Sequence, residues 1–567
     1  MAIPCDIRYA LIPTQSTQSS LCAEKSEAHV TPTEYSDPES RPPVFKSAGH
    51  EIASILILTF ATIMNTASSA VMQIAVPSLG RYFGITGSEL SWSVSSFSLM
   101  SGATILLFSG MADKVGRKRL VVGAYAWFTI WSLAAAFTIH HIVFDVCRGM
   151  QGLAAAACPS AGVGILGSTY RNGRRKNRVM AVFNAGSPLG AFLGIMTGGV
   201  TIEYINWQSI FYWYAIVYAV LTVLAVFVVP GDSLNDNENL SIREFGRRLK
   251  ELDLAGAVLS IVGCVMFVLA ASQAGSASHG WATPYVLIIL VASLVVLATF
   301  VWWESRTSNP LMPLKIWQAR GFAMVMLTVL FSWMCFTGVL NFYVGLYFQN
   351  VIGASPMQSA IYFVPQTVTS AVTVNIIAAT LHRAPGRLLL VLSQFCNLAA
   401  SLLWSLMPIE VSYFAMALPA ICLSVMGADL AFNVANMHTL STVSAKEQST
   451  AAGIFYTVDH LAGSLGVSLS SSVVSIILRN QMEAGVSVVT REGLASAYNG
   501  AFWFAVGCSC AAIVCSCFAK VGTCGGHSSD AELLFDGDVV GDVDVADVEE
   551  TSSLLGGDAV VGYKSVA

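Results

Sequence analysis

Fourteen apolar runs succeed one another along this chain, each about 20 residues long, enough to cross a hydrocarbon layer roughly 30 Å thick. A lone segment in lipid can satisfy its backbone polar groups only as a helix, so the runs predict an all-α polytopic membrane protein. They are expected near Ile52–Val76, Trp92–Ala112, Leu120–Ile139, Ile142–Leu166, Val179–Ile202, Ser209–Val229, Leu254–Ser272, Tyr285–Trp303, Phe322–Phe348, Ser359–Leu381, Leu388–Met407, Tyr413–Thr439, Ala451–Leu478 and Ala501–Ala519. Hydrophobic residues make up 55% of the chain and charged ones 11%, against about 25% charged in an ordinary soluble domain. A soluble fold could not hide that much apolar surface.

The spacing of the runs divides the chain six, two, six. Residues 1–51 form a polar tail expected to be disordered and cytosolic, and 52–229 an N-terminal six-helix bundle. A linker at 230–253, two extra helices within 254–303 and a second linker at 304–320 lead to a C-terminal six-helix bundle over 321–519. The acidic tail, 520–567, holds ten Asp and Glu residues and few large apolar ones, a composition that predicts disorder. With no apolar core of the signal-peptide kind in the first fifty residues, the first run is expected to direct insertion itself.

Charge reports topology. If the N-terminus is cytosolic, all but four of the 29 Lys and Arg residues fall inside; Arg81, Arg479 and Arg491 lie outside and Arg148 within the membrane. That asymmetry predicts cytosolic termini at both ends. Scattered basic residues and a net charge of -5 exclude nucleic acid as a partner. Cys147, Cys158, Cys264, Cys335, Cys396 and Cys422 fall within apolar runs, where a thiol behaves as a small hydrophobe, so neither a disulfide framework nor a metal site is expected. No phosphate-binding GxxxxGK[ST] loop, nucleophile motif or metal-spaced histidine pair is present, which disfavours an ATP-driven pump and an enzyme, with no catalytic residues and no cofactor.

Four groups of residues carry candidate chemistry. The first follows the second run: Ser109-Gly110-Met111-Ala112-Asp113-Lys114-Val115-Gly116-Arg117-Lys118-Arg119. Gly116 permits a tight reversal, and Asp113 can sit at a helix N-terminus where the dipole favours an anion; the plainer reading is a positive-inside loop. In the fourth run, Arg148 is the one basic residue placed inside a span. An intramembrane Arg is costly, so it faces a polar cavity or a partner, with Asp145 one turn earlier, or else it snorkels to the surface. The fifth run repeats glycine at Gly186, Gly190, Gly194, Gly198 and Gly199, a stripe that admits close approach of another backbone and suits either static packing or sliding. Lastly, Asp429 and Asp459 lie inside the twelfth and thirteenth runs, where an acid is either an ion or proton site or a protonated hydrogen-bonding group. Asn341, Phe342, Asn433 and Tyr456 could line a cavity for amphipathic molecules, though lipid-facing or packing roles suit them equally.

This ordered set resembles the major facilitator superfamily, in particular its fourteen-helix drug:proton antiporter branch. The segment from Tyr170 through Arg174-Arg175-Lys176-Asn177 to Asn206-Trp207 and Phe211-Tyr212 is similar to fungal members, among them exporters of toxins and secondary metabolites. The resemblance runs from about Ile52 to Ala519. Departures are Ser109 in place of the usual Gly, Ile195 where Pro is frequent, Gln208 where Arg is common, and Ser68 at a position usually acidic. His382-Arg383-Ala384-Pro385-Gly386-Arg387 is a degenerate echo of the first loop in the matching place of the second half, as expected of repeated halves.

The resemblance implies a secondary transporter that exports small organic molecules, such as drugs, toxins or secondary metabolites, by proton antiport and alternating access. Asp459, Arg148 and Asp429 would then couple protons, while Asp113, Gly116, Arg117, Lys118, Gly190, Gly194, Gly198 and Gly199 would gate the motion. A vacuolar importer of basic amino acids and a transporter-like sensor are the alternatives. The plasma membrane is the expected location, with a vacuolar or endosomal membrane as the alternative. Glu550, Leu554 and Leu555 match an acidic dileucine pattern, which would engage a sorting adaptor.

Overall fold

A computed structural model describes residues 40–170, 173–231, 247, 252–277, 279–307, 310–380, 384–444, 447–484 and 490–522. The side chains of 113, 378 and 379 fall outside that description, as do both tails and the Glu550, Leu554, Leu555 motif. The described residues form an all-helical protein with fourteen spans. In chain order they are α1 Ala48–Ala70, α2 Gly87–Ala112, α3 Arg117–Ala136, α4 His141–Thr169, α5 Arg174–Tyr204, α6 Gln208–Val228, α7 Leu254–Ser276, α8 Pro284–Glu304, α9 Phe322–Ile352, α10 Pro356–Ile377, α11 Gly386–Ser405, α12 Ala417–Ser441, α13 Gln448–Glu483 and α14 Arg491–Phe518. Several exceed the expected runs. The thirteenth, expected over Ala451–Leu478, extends a turn beyond it at the C-terminal end, because polar residues continue the helical hydrogen bonding after the apolar run stops.

The first run departs most from its expected shape. Expected as one helix to Val76, it is interrupted at Val71 and resumes as Met72–Phe83, with Pro77 inside and Gly84 closing it at φ 68°. At the other end of α2, whose helix runs three residues past the apolar span to Val115, the chain reverses through Gly116, whose φ of 108° is closed to most side chains; Arg117 begins the next helix.

Each bundle is held by small residues. A Cβ on Gly190 would run into the carbonyl oxygen of Ile63, and one on Gly194 into that of Ala67, so the stripe on α5 lies directly on α1. Gly186 meets Thr59 and Gly198 meets Val71 on the same partner. Gly199 turns away from that stripe toward Ala360 of α10, which an added Cβ would approach to 2.6 Å.

The two bundles meet along α2 and α13. Ser464 Oγ donates to the Ser95 carbonyl at 3.2 Å, Gly102 abuts His460 and Leu461, and Gly453 abuts Leu106. The extra pair begins with α7 wedged beside this seam, where Ser472 Oγ donates to the Ala271 carbonyl at 2.5 Å. α8 leans on α7, with Gly263 against Leu297. Only 17% of its most apolar window is buried, against 56% for α2, which leaves α8 facing lipid.

Across the remaining interface the bundles touch at the end remote from the described chain termini. There Gln349 Nε2 donates to the Ile74 carbonyl at 3.0 Å, the Met357 amide donates to Glu203 Oε2 at 3.3 Å, and Gly345 presses on the Gln73 carbonyl. Toward the terminal end, Asn184 and Ser187 on α5 and Val372, Asn375 and Ile376 on α10 are exposed. The bundles are therefore tied together by hydrogen bonds at the end remote from the described termini.

Candidate carboxylate cleft

Three helices of the C-terminal bundle bring aromatic and acidic side chains together. Trp333 of α9 lies 5.7 Å from Phe432 of α12, which in turn lies 5.2 Å from Phe455 and 6.2 Å from Tyr456 of α13. Helical spacing then adds the acids, because residues three apart share a face: Asp429 precedes Phe432 by three positions and Asp459 follows Tyr456 by three. All six sit seven to twelve residues from the helix ends on the side of the described termini, about 10–18 Å deep at 1.5 Å per residue.

The acids are half-buried, yet Asp429 Oδ2 and Asp459 Oδ1 are inaccessible to solvent and make no hydrogen bond. Ser370 of α10 lies within hydrogen-bonding reach of the Asp429 carboxyl, and Tyr456 is within electrostatic reach of Asp459. No Lys or Arg lies in the middle of α9–α14; Arg387, Arg479 and Arg491 stand near helix ends. A buried carboxylate oxygen left without donor or counter-ion is costly in its charged form. Such an oxygen gains from any donor that reaches it.

The four expected lining residues are placed differently from one another. Tyr456 belongs to the cluster. Asn341 accepts from Gln366 Nε2 of α10 at 3.4 Å. Asn433 folds back on its own helix, donating to the Asp429 carbonyl at 2.8 Å. Phe342 is 4% exposed, edge-on to Tyr343 at 4.9 Å; in this conformation its ring packs the core and does not wall the cleft.

Arg148 does not face Asp459. Its guanidinium is 1% exposed inside the N-terminal bundle and donates to Ser68 Oγ at 3.0 Å, the Ser68 carbonyl at 3.1 Å, Gln151 Oε1 at 2.8 Å and the Ser93 carbonyl at 3.3 Å. Its Cζ also lies 4.5 Å from the centroid of the Phe97 ring. Gln151 is fixed in turn by donating to Ser132 Oγ at 3.0 Å, and Ser93 Oγ donates to Asp145 Oδ1 at 3.1 Å. Ser68, the residue at the usually acidic position, thus serves this Arg through a hydroxyl and a carbonyl just before the interruption in α1. Snorkelling is ruled out by that burial.

In the loop motif, Arg117 NH1 donates to the Gly164 carbonyl of α4 at 2.9 Å, a contact within one bundle. Lys118 is half-buried, and the Asp113 side chain lies outside the described residues. Sequence reasoning missed Trp333 and Phe432, whose helical register with Asp429 and Tyr456 becomes informative only once α9, α12 and α13 are known to be neighbours. It also missed the closing contacts of Gln349, Gly345 and Glu203. Two π-helical stretches in α9, Phe336–Leu340 and Tyr347–Ile352, place these residues; Gly345 and Gln349 flank the start of the second. π-turns of this kind gather at functional sites.

Comparison with known proteins accords with this geometry. The family model described as Major Facilitator Superfamily matches residues 58–467. The efflux pump terJ of Aspergillus terreus is 28% identical over 477 residues, covering 83% of this chain and 88% of that protein. A low affinity ammonium transporter of Saccharomyces cerevisiae is 28% identical over 446 residues, covering 78% and 84%. Among solved structures, a bacterial homologue of the human lysosomal transporter Spinster, inward-facing and unoccupied, superposes with a TM-score of 0.56 at 14% identity, over 83% of this chain and 98% of that one. With fourteen apolar helices in two packed bundles and a family match over most of its length, this chain is an integral membrane transporter and belongs to the Major Facilitator Superfamily.

Proposed function

We propose that the protein exports small organic molecules by proton antiport, with the described conformation open to the cytosol and Asp459 carrying the proton. The observation that supports this most is the pair of buried carboxylate oxygens of Asp459 and Asp429, neither hydrogen-bonded, beside Trp333, Phe432 and Tyr456 inside the C-terminal bundle. Aromatic faces hold the apolar body of a substrate. The acids alternate between a proton and the substrate's polar or cationic end as the two bundles rock. Asp113, Gly116, Arg117 and Lys118 form the cytosolic hinge loop, and the glycines of α5 let α1 and α5 move as one rigid pair. Both termini are cytosolic and the protein works in the plasma membrane, driven by the proton gradient and with no cofactor. The efflux pump among its relatives supports the outward direction.

The test uses inverted vesicles holding the full chain and a panel of fluorescent amphipathic compounds. An imposed gradient, acidic inside, is expected to drive accumulation that a protonophore abolishes. Accumulation that survives the protonophore contradicts proton antiport. A second reading, uptake of a small cation, draws on the ammonium transporter relative; it predicts substrate movement in the opposite direction, from the extracellular face into intact cells.

A further inference from the structure

Three serines and an arginine place the inserted helix α7 in the path of movement between the bundles. α7 packs against α2 of the first bundle and against α13 of the second. It is held to α2 at both ends. On the side of the described termini, a Cβ added to Gly110 of α2 would lie 3.2 Å from Leu252, the buried residue that leads into α7. At the remote end the hydroxyls of Ser88 and Ser276 share a hydrogen bond.

α13 grips α7 at that remote end. Ser472 Oγ donates to the Ala271 carbonyl and Arg479 NH1 donates to the Ala277 carbonyl, both at 2.5 Å. The backbones leave no slack there. A Cβ on Gly275 of α7 would stand 2.7 Å from the Ser472 Cα, and one on Gly87 of α2 would stand 2.6 Å from Ser475 Oγ. Ala277 caps the C-terminus of α7, where the helix dipole is negative, so the guanidinium gains from the dipole as well as from the bond.

In the rocking motion of the reading above, on which this inference rests, two bundles part at one end as they meet at the other. A helix held to α2 at both ends travels with the first bundle. Opening the remote end then draws α13 off α7 and breaks the Ser472 and Arg479 bonds together. We infer that α7 is a moving part of the remote gate, carried by the first bundle, and that Arg479 is the catch by which the second bundle holds that gate shut.

Double electron–electron resonance on the full-length protein in lipid nanodiscs tests this. Spin labels are attached through a ketone amino acid in place of Tyr82 and Met482, one exposed position on each bundle at the remote end, so that the native cysteines stay unlabelled. Arg479→Gln is expected to raise the ratio of long to short distances about tenfold, for the loss of a hydrogen bond from a charged group. Arg479→Lys keeps a cation at the helix end and is expected to raise it about threefold or less. Ser472→Ala removes the neutral bond, so it should act in the same direction by about two- to fivefold, and it decides the matter where Arg479→Gln fails to fold. Trp303→Phe, which cuts a bond from α8 to Asp253 at the other end of α7, should leave the ratio unchanged. Parental distances in Arg479→Gln or Ser472→Ala, equal shifts in Arg479→Gln and Arg479→Lys, or an equal shift in Trp303→Phe would overturn the inference. A second label pair at Asn177 and Ser449, exposed at the terminal ends of α5 and α13, separates it from the rocking motion: a remote end that lengthens while the terminal distance stays fixed keeps the catch and contradicts the rocking.

Discussion

In the N-terminal bundle Arg148 is surrounded by acceptors, four hydrogen bonds in all, drawn from three neighbouring helix segments. In the C-terminal bundle Asp429 and Asp459 each keep a buried oxygen with none. A saturated charge is pinned, since moving it breaks several bonds at once, whereas an unsaturated one gains by exchanging protons or ligands. The difference teaches that the first bundle uses its intramembrane charge to hold α1, α2 and α4 together, whereas the second leaves two acids each with an unbonded oxygen. The glycine contacts fit the same division: those of α5 on α1 are backbone to backbone within one bundle, while Gly199, Gly345 and Gly102 serve the seam between bundles.

The sharpest way to break this contrast is stability. Arg148→Ala strands Gln151 and the Ser68 hydroxyl without their donor, and breaking a buried charged network costs about 3–5 kcal/mol. Arg148→Lys should lose most of that as well, since an ammonium cannot reproduce the planar fork of donors. Thermal melting of purified protein should show both losses, while Asp429→Asn and Asp459→Asn stay within about 1 kcal/mol of wild type. Equal destabilisation by the acid variants would make them structural too.

Much of this was legible beforehand, and the reasons differ by feature. Fourteen spans follow from apolar run length, because lipid imposes helix on each. The reversal at Gly116 and the close packing of the α5 stripe follow from residue type at fixed spacing. What Arg148 would touch was not legible: the sequence offered Asp145 one turn earlier, whereas the structure surrounds it with Ser68, Gln151 and the Ser93 carbonyl, a set that no sequence motif announces. Which of the two roles open to Phe342, cavity wall or packing, it takes in this conformation was not legible for a similar reason. The π-turn at Phe336–Leu340 shifts the register of α9 just before it, and π-turns have no residue signature.

A smaller effect is expected at the seam. Gly345→Val places side-chain atoms on the Gln73 carbonyl, so the remote end should fail to close. In a Ser78→Cys background, a membrane-impermeant thiol reagent added from that side should then react several-fold faster. Unchanged labelling would show that the π-turn absorbs the added bulk. Smaller still is Gln349→Ala, which removes the single bond to Ile74, worth about 0.5–1.5 kcal/mol. A two- to tenfold shift of the same labelling rate, roughly, should result. If its effect matched that of Gly345→Val, the hydrogen bond rather than the close backbone approach would set the closed state.

The most direct test of the division between bundles separates substrate exchange from proton coupling at Asp459. In inverted vesicles, Asp459→Asn imitates the protonated acid in size and polarity, so it should still exchange labelled for unlabelled substrate across the membrane. Gradient-driven accumulation should fall to background and lose its dependence on pH. Accumulation in Asp459→Asn with wild-type amplitude and pH dependence would contradict the claim and pass the proton-carrying role to Asp429.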